Sequence, residues 1–116
     1  MMRKRLNAVS AGLGTLMVLA SVPSVHAECY DVFGCSDRTY FRLNDLMRGP
    51  NCEFLWQMRN SMYKERGYCF NTRRGIATFG NAGCQYDNVN EVPLNQFERA
   101  NAATIQQAER ALACPR

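Results

Sequence analysis

The chain has 116 residues, room for one ordinary domain, with 14 Lys+Arg against 10 Asp+Glu and a net charge of +4. Arg3, Lys4 and Arg5 supply three of those bases, so the chain after residue 27 has 11 bases against the same 10 acids, a net +1 with the signs alternating. That balance argues against nucleic acid as a partner, which would call for a basic stripe or face.

The first element is a leader. Met1-Met2-Arg3-Lys4-Arg5 is a short basic segment, an apolar run of about 13 residues follows from Ala8 to about Ala20, and Val25 and Ala27 place small residues where a signal peptidase reads them. The run is too short for a membrane span, which needs about 20 helical residues. A secretory signal peptide over 1–27, cleaved after Ala27, is therefore expected, with no membrane span after cleavage. His26 is the only histidine and belongs to the leader. Imidazole-dependent nucleophiles and zinc sites with His ligands are thereby excluded from the mature chain.

From Glu28 to Gly49 the pattern predicts little order beyond a short helix over Phe41–Met47 that buries Phe41, Leu43 and Leu46. Gly49-Pro50 ends it. Asn51 can cap the next helix, and Glu53 sits in the first turn, where the helix dipole favours a negative charge. That helix is predicted over Cys52–Arg66, with Cys52, Leu55, Trp56, Arg59 and Tyr63 at spacings of three and four, Met58 and Met62 widening the stripe, and Gly67 as the stop. Asn71 or Thr72 can cap a short helix over about Arg73–Phe79, and Gly80, Gly83 and Asp87–Asn90 read as loop. Asn95 with Glu98 three positions on predicts a capping box, opening a helix that runs to about Ala113 with Phe97, Thr104, Ile105, Ala108, Ala111 and Leu112 on its apolar side. The expected fold is all-α: a small disulfide-stabilised domain of two main helices and one or two short ones.

Cys29, Cys35, Cys52, Cys69, Cys84 and Cys114 all follow the cleavage site. An even number in a small exported chain reads as a disulfide framework, for which six cysteines allow 15 pairings. Cys29 and Cys35 are near enough to close a small ring, Cys69 and Cys84 bracket the central segment, and Cys52 with Cys114 then joins the start of one helix to the end of another. A thiolate metal site would show paired C-x-x-C spacing, and none is present, so neither a metal nor a cofactor is expected. The same missing motif argues against redox catalysis.

The run Leu55-Trp56-x-x-Arg59-Asn60-x-x-Tyr63-x-x-x-Gly67-x-x-Phe70 resembles the YARHG domain family, whose namesake pentapeptide stands here as Tyr63-Lys64-Glu65-Arg66-Gly67. Arg66 replaces the histidine of the name. The likeness continues through Thr72 and Phe79, covers about 30 to 45 residues, and with its extra cysteines is similar to a cysteine-rich branch of small exported bacterial proteins. The resemblance implies an extracellular or periplasmic module suspected of cell-envelope association, without established catalysis. The expected organisation is a leader over 1–27, an N-terminal extension over 28–50 and a YARHG-like helical domain over 51–116.

Arg59 and Asn60 are a polar pair in the middle of the strongest helix. Arg59 could grip an external carboxylate, such as one from a wall peptide, with its bidentate fork; the favoured reading holds it on loop carbonyls or on an internal acid such as Asp87 or Glu91. Trp56, Tyr63, Tyr68 and Phe70 read as core rather than as an aromatic surface, with the Tyr63 hydroxyl as an internal donor. Glu53, Glu65, Asp87, Glu91, Glu98 and Glu109 are the carboxylates from which a glycosidase pair would have to come, and solvated or capping roles explain each. The expected function is non-catalytic binding at the envelope, to peptidoglycan or to another exported protein. A structural or inhibitory protein acting on a partner enzyme comes second, and a small wall hydrolase third.

Overall fold

The computed structural model describes residues 28–116; the expected leader and its cleavage after Ala27 lie outside the described residues. The elements in chain order are β1 (Cys29–Tyr30), β2 (Gly34–Cys35), α1 (Leu43–Arg48), α2 (Cys52–Glu65), α3 (Arg73–Phe79) and α4 (Gln96–Ala111), with one 3-10 turn at Val89–Glu91 inside the expected loop. Two main helices and two short ones agree with the expected helical class. The correction is a small antiparallel sheet of β1 and β2, with Cys29 opposite Cys35 and Tyr30 opposite Gly34. Two-residue strands carry no alternation that a sequence pattern can register.

The long helices start and stop for local reasons. The Asn51 side chain accepts from the Phe54 N–H at 2.9 Å and opens α2. At its other end Gly67 takes φ +94°, letting the Tyr68 N–H reach the Tyr63 carbonyl at 3.0 Å and the Gly67 N–H reach Lys64 at 3.1 Å. This is the Schellman pattern, and it requires a left-handed residue. The Thr72 hydroxyl accepts from the Gly75 N–H at 3.0 Å to open α3. Asn95 and Glu98 form the reciprocal capping box of α4, with bonds of 2.9 and 2.8 Å. The same helix ends at Ala111 because Ala113 turns left-handed at φ +54°, sending the Cys114 N–H back to the Glu109 carbonyl at 2.8 Å.

The core lies mainly between α2 and α4. Leu55, Met58 and Met62 form the buried side of α2, facing Ala102, Ile105 and Ala108 of α4. The two alanines are small enough for the helices to approach closely. Val92 and Leu94 close one end of this core, and Leu46 of α1 packs into it. The inward side of α4 differs from the expected one: Ala111 and Leu112 are exposed, whereas Glu98 and Asn101 are buried.

Both buried polar residues are satisfied. Asn101 Nδ2 donates to the Ser36 and Thr39 carbonyls at 3.0 and 2.8 Å, and its Oδ1 accepts from the Phe41 N–H at 2.7 Å. One side-chain amide thus supplies three hydrogen bonds to the stretch leading into α1. Phe41 precedes α1 rather than belonging to it, and is buried from an extended position. The weak order expected from Glu28 to Gly49 is corrected accordingly: a hairpin, a disulfide, the Asn101 bonds and the packing of α1 on α4 tie this stretch to the rest.

Candidate functional site

All six cysteines are in disulfides: Cys29–Cys35, Cys52–Cys114 and Cys69–Cys84. The second ties the first turn of α2 to the chain beyond α4, with Cα atoms 5.4 Å apart. Where these two ends meet, a cleft of about 700 Å³ opens. Trp56 and Arg59 line it from α2, Gln106, Glu109 and Arg110 from α4, and Ala113–Arg116 from the tail.

Arg59 lies in this cleft, and its internal acid is Glu109 rather than Asp87 or Glu91, which are exposed. Arg59 Nε donates to Oε1 at 2.7 Å and Nη2 to Oε2 at 3.0 Å, a parallel bidentate pair. The two side chains are 20 % and 12 % exposed, so the pair is largely desolvated. Its fork is already filled by a carboxylate of its own chain. Arg110 and Arg116 are exposed and form no ion pair among the described residues.

Trp56 is half-buried instead of sunk in the core. The Arg74 guanidinium stacks over its ring at 3.8 Å from the centroid, and Phe79 meets it at 5.7 Å. Arg74 is itself paired with Glu53 at 2.7 and 2.9 Å. From Phe79 the aromatic contacts continue to Phe70, stacked at 5.0 Å, then to Tyr68 at 4.9 Å and Tyr63 at 6.0 Å. Phe70 is buried, and the rings on either side of it are half-buried. Gly75 allows Phe70 this position, because a Cβ there would lie 2.7 Å from the ring. No hydrogen bond from the Tyr63 hydroxyl forms among the described residues; burial pushes this phenol up despite the nearby Arg59.

The remaining motif residues support this arrangement from behind. Leu55 is wholly buried, and Asn60 Nδ2 donates to the Trp56 carbonyl at 2.9 Å. Gly67 accepts from the Gln85 and Tyr86 N–H groups at 2.7 and 3.0 Å, docking the segment that Cys69–Cys84 closes. Asn81, which no sequence pattern singled out, pairs with both backbone groups of Phe70 at 2.7 and 2.8 Å.

Of the six candidate carboxylates, Glu53, Glu98 and Glu109 are bound to Arg74, Arg66 and Arg59. Glu65 is the one carboxylate among the described residues with a distinct shift, pushed up to about 7 by burial first and then by Glu28 and Glu98, against a lowering by Arg66. Among the described residues no cluster of His, Cys, Asp or Glu could hold a metal ion, and no helix is long and apolar enough to cross a membrane.

Fold and site together define a small helical module closed by three disulfides, with an open, arginine-lined cleft where its two main helices are stapled. A model of the YARHG domain matches residues 32–110, and the chain belongs to that family. The match begins in the β1–β2 hairpin and takes in α1 as well as the motif helix. Comparison with curated proteins returned no match, and neither did comparison with solved structures. Disulfides and family together indicate an extracellular-type environment.

Proposed function

We propose that this chain is an exported, non-catalytic binding module of the bacterial cell envelope, periplasmic or secreted, which takes wall polymer into the cleft at the α2–α4 staple. The observation that carries the reading is the cleft itself: about 700 Å³ of open space that joins an aromatic wall at Trp56 to two arginines without an ion-pair partner among the described residues. Sites for small ligands have this size and this mixture of apolar wall and few convergent polar groups. Glu109 is the one carboxylate side chain lining the cleft, and it is held by Arg59 through both oxygens, which favours binding over turnover there.

Co-sedimentation of the oxidised protein, starting at Glu28, with isolated wall material tests the reading. Retention on the wall is expected without release of dye from a labelled wall substrate. Protein that stays in the supernatant with the wall alone, and is retained only when a second exported protein is added, would favour the inhibitory reading instead. One observation speaks for that second reading: Val32, at the tip of the hairpin clamped by Cys29–Cys35, is 73 % exposed.

A further inference from the structure

We propose that the cleft selects a carboxylate-bearing glycan, with Arg110 and Arg116 binding the carboxylate, the Trp56 ring lying along the sugar, and the Arg59–Glu109 pair acting as a fixed floor. This deepens the reading of the cleft as a wall-polymer site and rests on it. The charge count gives the sign of the ligand. Four charged side chains line the cleft, and the two on its floor neutralise each other through two hydrogen bonds of 2.7 and 3.0 Å. What remains is positive, from the two exposed arginines, in a recess whose walls exclude part of the solvent and so strengthen attraction for an anion. Arg74 adds no net charge, being paired with Glu53.

The geometry of the floor decides which arginine the ligand meets. Glu109 engages the Nε and one terminal nitrogen of Arg59, the edge a bidentate carboxylate would use. An incoming carboxylate would have to displace a partly buried internal one, so it goes to the rim. Arg59 is a positioning residue, keeping α2 and α4 at the spacing that leaves the cleft open.

Trp56 decides between an acidic sugar and an acidic peptide. Arg74 and Phe79 hold its indole in place, and the same side chain lines the cleft that the two cations share. A pyranose ring has an apolar face of C–H groups with acidic substituents at its edge, which matches a rigid aromatic wall next to arginines. The rim is held in advance of binding: Cys114 is bonded to Cys52, and its N–H is hydrogen-bonded to Glu109, so the segment that carries Arg116 starts from a fixed point.

The test uses the oxidised chain from Glu28 and three probes: immobilised wall glycan freed of its stem peptides, so that its sugar carboxylates are exposed, the same glycan with those carboxylates converted to amides, and soluble poly-glutamate as competitor. Retention on the peptide-free glycan is expected to fall about tenfold or more once the glycan is amidated, and equally for R110Q/R116Q on the unmodified glycan, since each lost charge-assisted contact weakens binding severalfold. Both arginines are exposed and unpaired among the described residues, so this variant keeps the fold, checked by its circular dichroism and unfolding midpoint. Equal retention on the unmodified and amidated glycan, or full retention of R110Q/R116Q, overturns the carboxylate assignment and leaves wall binding standing. Displacement by poly-glutamate as effective as that by soluble fragments of the peptide-free glycan at equal carboxylate concentration overturns the choice of a glycan. Failure to bind any wall preparation removes the wall reading itself.

Discussion

Arg59 stands between two regimes of ion-pair energetics. Exposed pairs contribute about 0.2–1 kcal/mol, while breaking a buried pair costs about 3–5 kcal/mol because one charge is left without compensation. With side chains 20 % and 12 % exposed, the Arg59–Glu109 pair falls in between, and Arg59→Ala is expected to lower stability by about 2 kcal/mol. Urea unfolding with the disulfides intact measures it. The double change R59A/E109A should cost less than the sum of the single ones, and strict additivity would show that the two residues act independently. Ala113 presents the opposite case, since a residue with a Cβ in the left-handed region costs about 1 kcal/mol. Ala113 holds φ +54° at the position where Gly67 ends α2. Ala113→Gly is therefore expected to raise stability by about 1 kcal/mol. A lower unfolding midpoint for this variant would mean that the lost methyl contacts and the added freedom of the unfolded chain outweigh the strain relieved.

At the scale of elements, the disulfides do what a small core cannot do alone. Cross-linking stabilises mainly by restricting the unfolded chain, and the effect grows with the logarithm of the loop closed. The sequence separations are 62 for Cys52–Cys114, 15 for Cys69–Cys84 and 6 for Cys29–Cys35. The corresponding contributions are about 4, 3 and 2 kcal/mol. Replacing each pair by alanine should lower the thermal midpoint in that order, as calorimetry can read; an inverted order would mean that local strain or residual structure dominates the loop term. The largest effect is expected at the bond that also builds the cleft, so loss of Cys52–Cys114 should weaken ligand retention as well as folding. The small β1–β2 hairpin gains from the shortest bond, because a two-stranded ribbon of this size is marginal by itself.

For the whole molecule, burial of one carboxyl, with charge arranged across elements adding to it, sets a pH dependence. Glu65 at the end of α2 shares its surroundings with Glu28 at the start of the described chain, Asp37 beyond β2 and Glu98 in the first turn of α4. Its folded value of about 7 lies above the ordinary 4.5, so between those limits the folded state binds the proton more tightly than the unfolded one. Stability from this group is thus greatest in acid and falls as pH rises through the window, the reverse of a carboxylate held by a salt bridge. Glu65→Gln should remove that slope and make the variant the more stable form above pH about 7. Unfolding curves at intervals across the window test this; parallel curves for the two proteins would refute it. Glu65 is not among the residues lining the cleft, so the same substitution separates stability from ligand retention.

Much of the helical framework could be read in the sequence because its causes are local. Asn51, Thr72 and Asn95 cap the three helices they precede, Gly67 stops α2, and Leu55, Met58 and Met62 mark its buried side within a few residues of one another. The candidate site was legible only in part. Trp56 and Arg59 stood out by type and position, but Glu109 lies 50 residues from Arg59 and looks like any solvated helical acid until α2 and α4 pack. Asn101, polar in sequence, becomes buried because three backbone groups around Ser36, Thr39 and Phe41 converge on it. Helix ends and the apolar stripe of α2 depend on neighbours three or four residues apart, so the amino-acid order alone determines them, whereas the inward side of α4, which takes in Glu98 and Asn101, does not follow from it. Ion-pair partners, the depth of Trp56 and the meeting of Cys52 with Cys114 depend on which surfaces exclude water from each other, and only the packed chain decides that.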